Sequence, residues 1–124
     1  MKLELILNEV FIKLEYLIRD LSTSNEYPRL QQDFTMIKEE LRKSYTYNQC
    51  KTKKLKKLLD YYELIEVEIK DKKIRQQINE LIYLLVYAQE EIFYNHFLDP
   101  TYESLTTSIV FILDFLKTIL KLIK

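Results

Sequence analysis

The side chains able to do chemistry are few, and their spacing argues against catalysis. The one histidine, His96, follows Ile92 by four residues and Phe93 by three, so helical spacing puts it beside an apolar face near a helix end. No carboxylate stands at the Glu-x-x-His spacing with which helical bundles hold metal pairs. A partly buried structural imidazole, favoured by the negative end of a helix dipole, is its expected role. The one cysteine, Cys50, has no partner for an internal disulfide and no neighbouring Cys or His for a metal. Lys51 beside it would lower its pKa slightly, but without a base or oxyanion donors it reads as a spare thiol. The acid pairs Glu39-Glu40 and Glu90-Glu91 are adjacent in sequence, so on a helix they diverge and form no dyad. Glycine is missing altogether, which excludes Gly-dependent nucleotide loops. No enzyme, cofactor, metal or small-molecule substrate is expected.

Binding chemistry has more to work with. Residues 51–75 carry nine bases against five acids, and Lys51, Lys53, Lys54, Lys56, Lys57 and Arg75 are candidate phosphate contacts. Tyr45, Tyr47, Tyr61 and Tyr62 nearby could stack bases beside such a basic surface. The ordinary reading of the stretch is a solvated or internally paired face. Residues 76–100 hold four acids and no base, so the two segments would complement each other if packed antiparallel.

Ten tyrosines offer large apolar bodies with a polar tip, a side chain favoured at interfaces. Tyr83, Tyr87 and Tyr94 recur on one helical flank beside an Ile/Leu seam, where they cover the core edge or present a ridge to a partner. From Ile109 to Ile123 eleven of fifteen residues are apolar, and the polar stripe Thr107, Asp114, Lys117, Thr118, Lys121 leaves an apolar arc wider than half the helix. A central place in a bundle explains that arc. An oligomer interface through Ile112, Leu116 and Ile119, or shallow membrane insertion aided by Lys117, Lys121 and Lys124, are the alternatives. The longest unbroken apolar run there, Ile109 to Leu113, is far below the roughly 20 residues that span a bilayer.

The elements that must position these groups are helices. Apolar residues at Leu3, Leu7, Val10, Leu14, Leu17 and Leu21 alternate steps of four and three, a heptad seam. Ser22 to Asn25 ends that helix, and Pro28 suits the first turn of the next. A second seam runs through Leu30, Phe34, Ile37 and Leu41, and a third through Leu55, Leu58, Tyr62, Ile65 and Ile69. Between them the register survives while the apolar content fails. Residues 29–69 are therefore either one helix of about 60 Å or two helices with a bend near Thr46 to Thr52. The bend is adopted because a continuous helix would outreach its neighbours, although the lysines would crowd the positive end of a helix starting there. Asp71 suits an N-cap for a fourth seam, Ile74, Ile78, Leu81, Leu85, Ala88 and Ile92, running to about Leu98. Asp99-Pro100 opens the last, Tyr102, Leu105, Ile109, Ile112, Leu116, Ile119 and Ile123.

The fold class expected is all-α, one antiparallel bundle of four or five helices spanning residues 1–124 as a single domain. The segment Met1 to Leu21 lacks the continuous apolar stretch of a signal peptide and belongs to that bundle. A lone cysteine points to a reducing cytoplasm. Formal charge cancels, 19 against 19, so no global field favours nucleic acid or membrane. The function expected is a non-enzymatic protein-interaction or regulatory module that self-associates. A nucleic-acid-binding protein using the 51–75 stretch is the first alternative, and a membrane-surface, immunity-like protein the second.

Overall fold

The computed structural model describes residues 2–23 and 27–122. It contains five helices: α1 (Lys2–Ser22), α2 (Pro28–Tyr47), α3 (Thr52–Ile65), α4 (Lys72–Asn95) and α5 (Glu103–Ile119), the last preceded by a single 3-10 turn, Pro100–Tyr102. Helix α1 packs on α2 and α4, and α5 packs on α2, α3 and α4. Helices α1, α2, α5 and α4 thus close a four-membered ring, with α3 laid against its outside along α5. Helices α1 and α4 run antiparallel, as their two cross-links show, and a third bond joins α2 to α5. Lys13 bonds Glu80 and Gln77 bonds Asp20 between α1 and α4, while Ser44 bonds Ser108 between α2 and α5.

The seams fill the core. All six residues of the α1 seam and all six of the α4 seam are buried, as are Leu105, Ile109, Ile112, Leu116 and Ile119 of α5. At the centre Phe115 meets Phe34 and Tyr62 edge to face, with centroids 5.5 and 5.0 Å apart, a geometry that adds to simple area burial. The wide apolar arc of α5 follows from its position, since it touches three other helices. Ile112, Leu116 and Ile119 are therefore core side chains of this chain, and the interface expected through them is corrected. The membrane face expected from the same arc is spent in the same way. No helix among the described residues is long and apolar enough to cross a membrane.

The bend between α2 and α3 falls where it was expected. Asn48 ends α2 in the left-handed region (φ 53°), which asparagine tolerates better than most residues. Pro28 opens α2, Asp71 caps α4 by accepting from the Ile74 N–H at 3.0 Å, and the rest of the turn before Pro28 lies outside the described residues.

Two boundaries and one packing contact differ from the sequence pattern. Helix α3 stops at Ile65, with Glu66 left-handed at φ 52°, four residues before its seam runs out. Ile69 is fully buried all the same, and the connection that carries it is held to α5 by a bond from the Ile69 N–H to the Ile119 carbonyl at 3.1 Å. Its four-residue spacing from Ile65 imitates a helix. Helix α4 ends at Asn95 rather than near Leu98, its last carbonyls partly met by the His96 N–H (2.8 Å to Ile92 O). Lastly, α3 and α4 do not pack on one another to any extent; α5 lies between them. The internal charge pairing expected of residues 51–75 with 76–100 does not form.

Candidate protein interface at the α4–α5 corner

The end of helix α4 and the turn after it carry a second apolar set beside the α4 seam. Phe93 and Phe97 stand one turn apart and, with Tyr94 and Leu98, lie off the line of Ile78, Leu81, Leu85 and Ile92. The core cannot reach them, so they face water: Phe93 is 58% exposed, Phe97 64% and Leu98 85%. They are not independent of one another. Phe93 meets both Tyr94 (5.2 Å) and Phe97 (5.3 Å) edge to face.

The corner that holds this cluster is built by local hydrogen bonding. Leu98 takes a left-handed turn at φ 66°, and the Asp99 N–H bonds the His96 carbonyl at 3.0 Å. The Asp99 carboxylate accepts from the Thr101 N–H (3.0 Å) and hydroxyl (2.8 Å). Those two bonds hold its pKa below the usual carboxylate value. The His96 ring stacks on Tyr102, with centroids 4.3 Å apart. Between the end of α4 and the start of α5 this leaves an open cleft of about 700 Å³, walled by Ile92, Phe93, Phe97 and Leu98 on one side and Tyr102 and Thr106 on the other.

The cleft is electrostatically negative. Glu90, Asp99 and Glu103 border it, and the carbonyl end of α4 adds partial negative charge. From Gln76 to Leu116 the chain has no Lys or Arg at all, so the bases of these two helices lie only at their far ends, away from the cleft. Aromatic faces in such a setting attract cations as well as apolar groups.

The residues singled out in the sequence are distributed as follows. Tyr94 belongs to the cleft. Tyr83 is 81% exposed but lies about three turns before it, and Tyr87 sits under the Lys2 ammonium, 4.9 Å from the ring centroid. Lys51, Lys53, Lys56 and Lys57 are exposed and make no ion pair among the described residues. Two of the six proposed phosphate contacts are committed elsewhere. Lys54 pairs with Glu40 at 3.5 Å, and Arg75 donates to the carbonyls of Ile69 (2.6 Å) and Leu120 (3.2 Å). Arg75 is thus a clamp between the α3–α4 connection and the end of α5, which corrects its reading as a phosphate contact. The slight lowering of the Cys50 pKa expected from Lys51 is also corrected. Burial pushes its thiol pKa up, against a hydrogen bond with Thr52 that lowers it and the Glu40 charge that raises it further, so Lys51 does not activate it. No group of three His, Cys, Asp or Glu able to hold a metal is gathered among the described residues.

No protein family, curated protein or solved structure matches this chain. The cleft must be read from its own chemistry. Phe93, Phe97 and Leu98 are the residues that sequence reasoning missed. Their signal was present as two Phe at helical spacing, off the seam, directly before the Asp99-Pro100 stop.

A second property of the corner concerns its surroundings. Asn48, which ends α2, spans from one corner of the bundle to the other. Its side-chain amide donates to the Pro100 carbonyl (3.1 Å), its side-chain oxygen accepts from the Ser104 N–H (3.2 Å), and its own carbonyl accepts from the Ser104 hydroxyl (2.9 Å). The lysine-rich start of α3 and the aromatic cleft therefore sit at the same end of the bundle, on opposite sides of the start of α5.

Proposed function

We propose that this chain is a non-catalytic protein-interaction module that docks a basic, amphipathic protein segment in the cleft between α4 and α5. The observation that carries the reading is the cluster Phe93, Tyr94, Phe97 and Leu98, held exposed around a cleft whose carboxylates, Glu90, Asp99 and Glu103, have no Lys or Arg beside them in the lining. Large aromatic side chains gathered at one spot are what interface hot spots are made of, and the acidic rim selects a partner whose apolar face is edged with Lys or Arg. The lone Cys50 suits a reducing compartment such as the cytoplasm.

Calorimetric titration with a synthetic leucine–lysine peptide of helical periodicity is the test. The expected outcome is saturable binding that weakens by about tenfold or more for Phe93→Ser/Phe97→Ser, the order of one lost hot spot. A peptide that ignores the cleft, or binds both proteins equally, refutes the reading.

A second reading rests on the four exposed, unpaired lysines Lys51, Lys53, Lys56 and Lys57, which suit phosphate contacts of a nucleic acid. It predicts binding that falls steeply with salt and is lost on Lys53→Glu/Lys57→Glu. A gel shift at low salt that moves no DNA or RNA ends it.

A further inference from the structure

The cleft and the basic start of α3 share one end of the bundle, and their charges are opposite. We infer that the occupant of the cleft is a second copy of this chain, seated end to end about a two-fold axis, so that the lysines at the start of α3 of each copy face the acidic cleft of the other. The inference rests on the docking reading above and adds the identity of the partner.

Three features of this end of the bundle support it. The first is placement: Asn48 ties the α2–α3 corner to Pro100 and Ser104 at the α4–α5 corner, so both patches lie at the same end of the bundle. A two-fold contact requires that arrangement, because each patch must meet the other patch of its mate, whereas patches at opposite ends of a rod would build an open chain. The second is sign. Lys51, Lys53 and Lys57 are exposed and unpaired on one half, while Glu90, Asp99 and Glu103 are exposed on the other. The net charge of the chain is zero, so neither patch is a by-product of an overall acidic or basic protein. The third is the apolar content of the same end. Tyr47 stands exposed beside Asn48, and Phe97 and Leu98 of the cleft are exposed at the same end, which supplies apolar surface accompanied by charge, the general anatomy of an interface.

Charge exchange tests the geometry. One variant reverses the basic half (Lys51→Glu/Lys53→Glu/Lys57→Glu), and a second reverses the acidic half (Glu90→Lys/Glu103→Lys). Asp99 is left alone because it caps the turn at Thr101. All five positions are exposed, and circular dichroism confirms folding. Sedimentation velocity should show the unaltered chain as a discrete two-copy species in about 0.05 M salt that dissociates toward about 1 M, where screening is nearly complete. Each variant alone should associate about a hundredfold more weakly, because like charges now meet in both contacts. An equimolar mixture should recover the dimer, and so should a single chain carrying all five changes.

The inference is overturned by a chain that stays monomeric at every concentration, by a mass that grows without stopping at two, or by a mixture that does not recover association. A monomer that still takes up the leucine–lysine peptide overturns the dimer alone. A monomer that does not take it up overturns the docking reading with it.

Discussion

Replacing Glu40 by Leu should make this protein more stable. Glu40 lies on α2 at 1% exposure, and neither carboxylate oxygen has a hydrogen-bond partner. Its one compensating charge is the Lys54 ammonium at 3.5 Å, on a side chain that is itself half exposed. At an effective dielectric near 20 that attraction is on the order of 4 kcal/mol, while burying a carboxylate costs several kcal/mol. The two nearly cancel, and a leucine of similar volume would add apolar burial in place of the cancelled pair. We expect Glu40→Leu to raise the unfolding free energy by about 2 kcal/mol, seen as a rise of roughly 8 °C in Tm for a domain of this size. Lys54→Ala should do the opposite, lowering stability by about 2 kcal/mol, less than for a fully buried pair because water reaches the lysine. In the Glu40→Leu background the same Lys54→Ala change should cost almost nothing. Urea denaturation of the four proteins gives the coupling directly. A Glu40→Leu protein less stable by more than about 1 kcal/mol, or a Lys54→Ala effect equal in both backgrounds, refutes the reasoning.

Other residues yield further expectations. Arg75→Met should cost about 2–3 kcal/mol, the order of two hydrogen bonds from a charged donor, because the carbonyls of Ile69 and Leu120 lose their clamp; it should leave any nucleic-acid binding unchanged. Glu66→Gly should stabilise by up to about 1 kcal/mol, since a chain without glycine has placed a side chain at φ 52°, where a Cβ is strained; an unfolding midpoint that stays put or falls rejects this. On the acid side, Gln77 donating to Asp20, with Lys73 nearby, holds that carboxyl below its usual pKa, and the Thr101 N–H and hydroxyl do the same for Asp99. Carboxylates favoured in the folded state contribute stability above the ordinary range that is lost as pH falls through their lowered values, below about pH 4. Asp20→Asn and Asp99→Asn should each flatten that loss in an acid titration followed by circular dichroism, and titrations that superimpose on the unaltered protein count against both.

Much of this fold was legible because heptad spacing survives burial. The seams of α1, α4 and α5 contain residues that are nearly all buried, and Asp71 and Asp99-Pro100 open helices at positions set by their own side chains. What failed did so for tertiary reasons. Ile69 keeps helical spacing from Ile65, yet it is buried in a connection held to Ile119 by a backbone bond that no local pattern announces. The opposite charges of residues 51–75 and 76–100 look like an internal pair until α5 is placed between them. Glu40 reads as an ordinary exposed acid because its burial depends on α3 folding back over α2. The cleft was half legible: Tyr94 was read from its ridge, whereas Phe93 and Phe97 became a site only once α4 ended at Asn95 and α5 supplied the opposite wall.

The central claim is that the α4–α5 corner is where this protein meets another. Amide chemical-shift mapping of the isotopically labelled chain during titration with the unlabelled leucine–lysine peptide tests it most directly. The account predicts shifts concentrated between Gln89 and Thr107, with the largest at Phe93, Phe97 and Leu98. Shifts confined to the exposed Leu5, Ile12 and Tyr16 of α1, or none at saturating peptide, would contradict it.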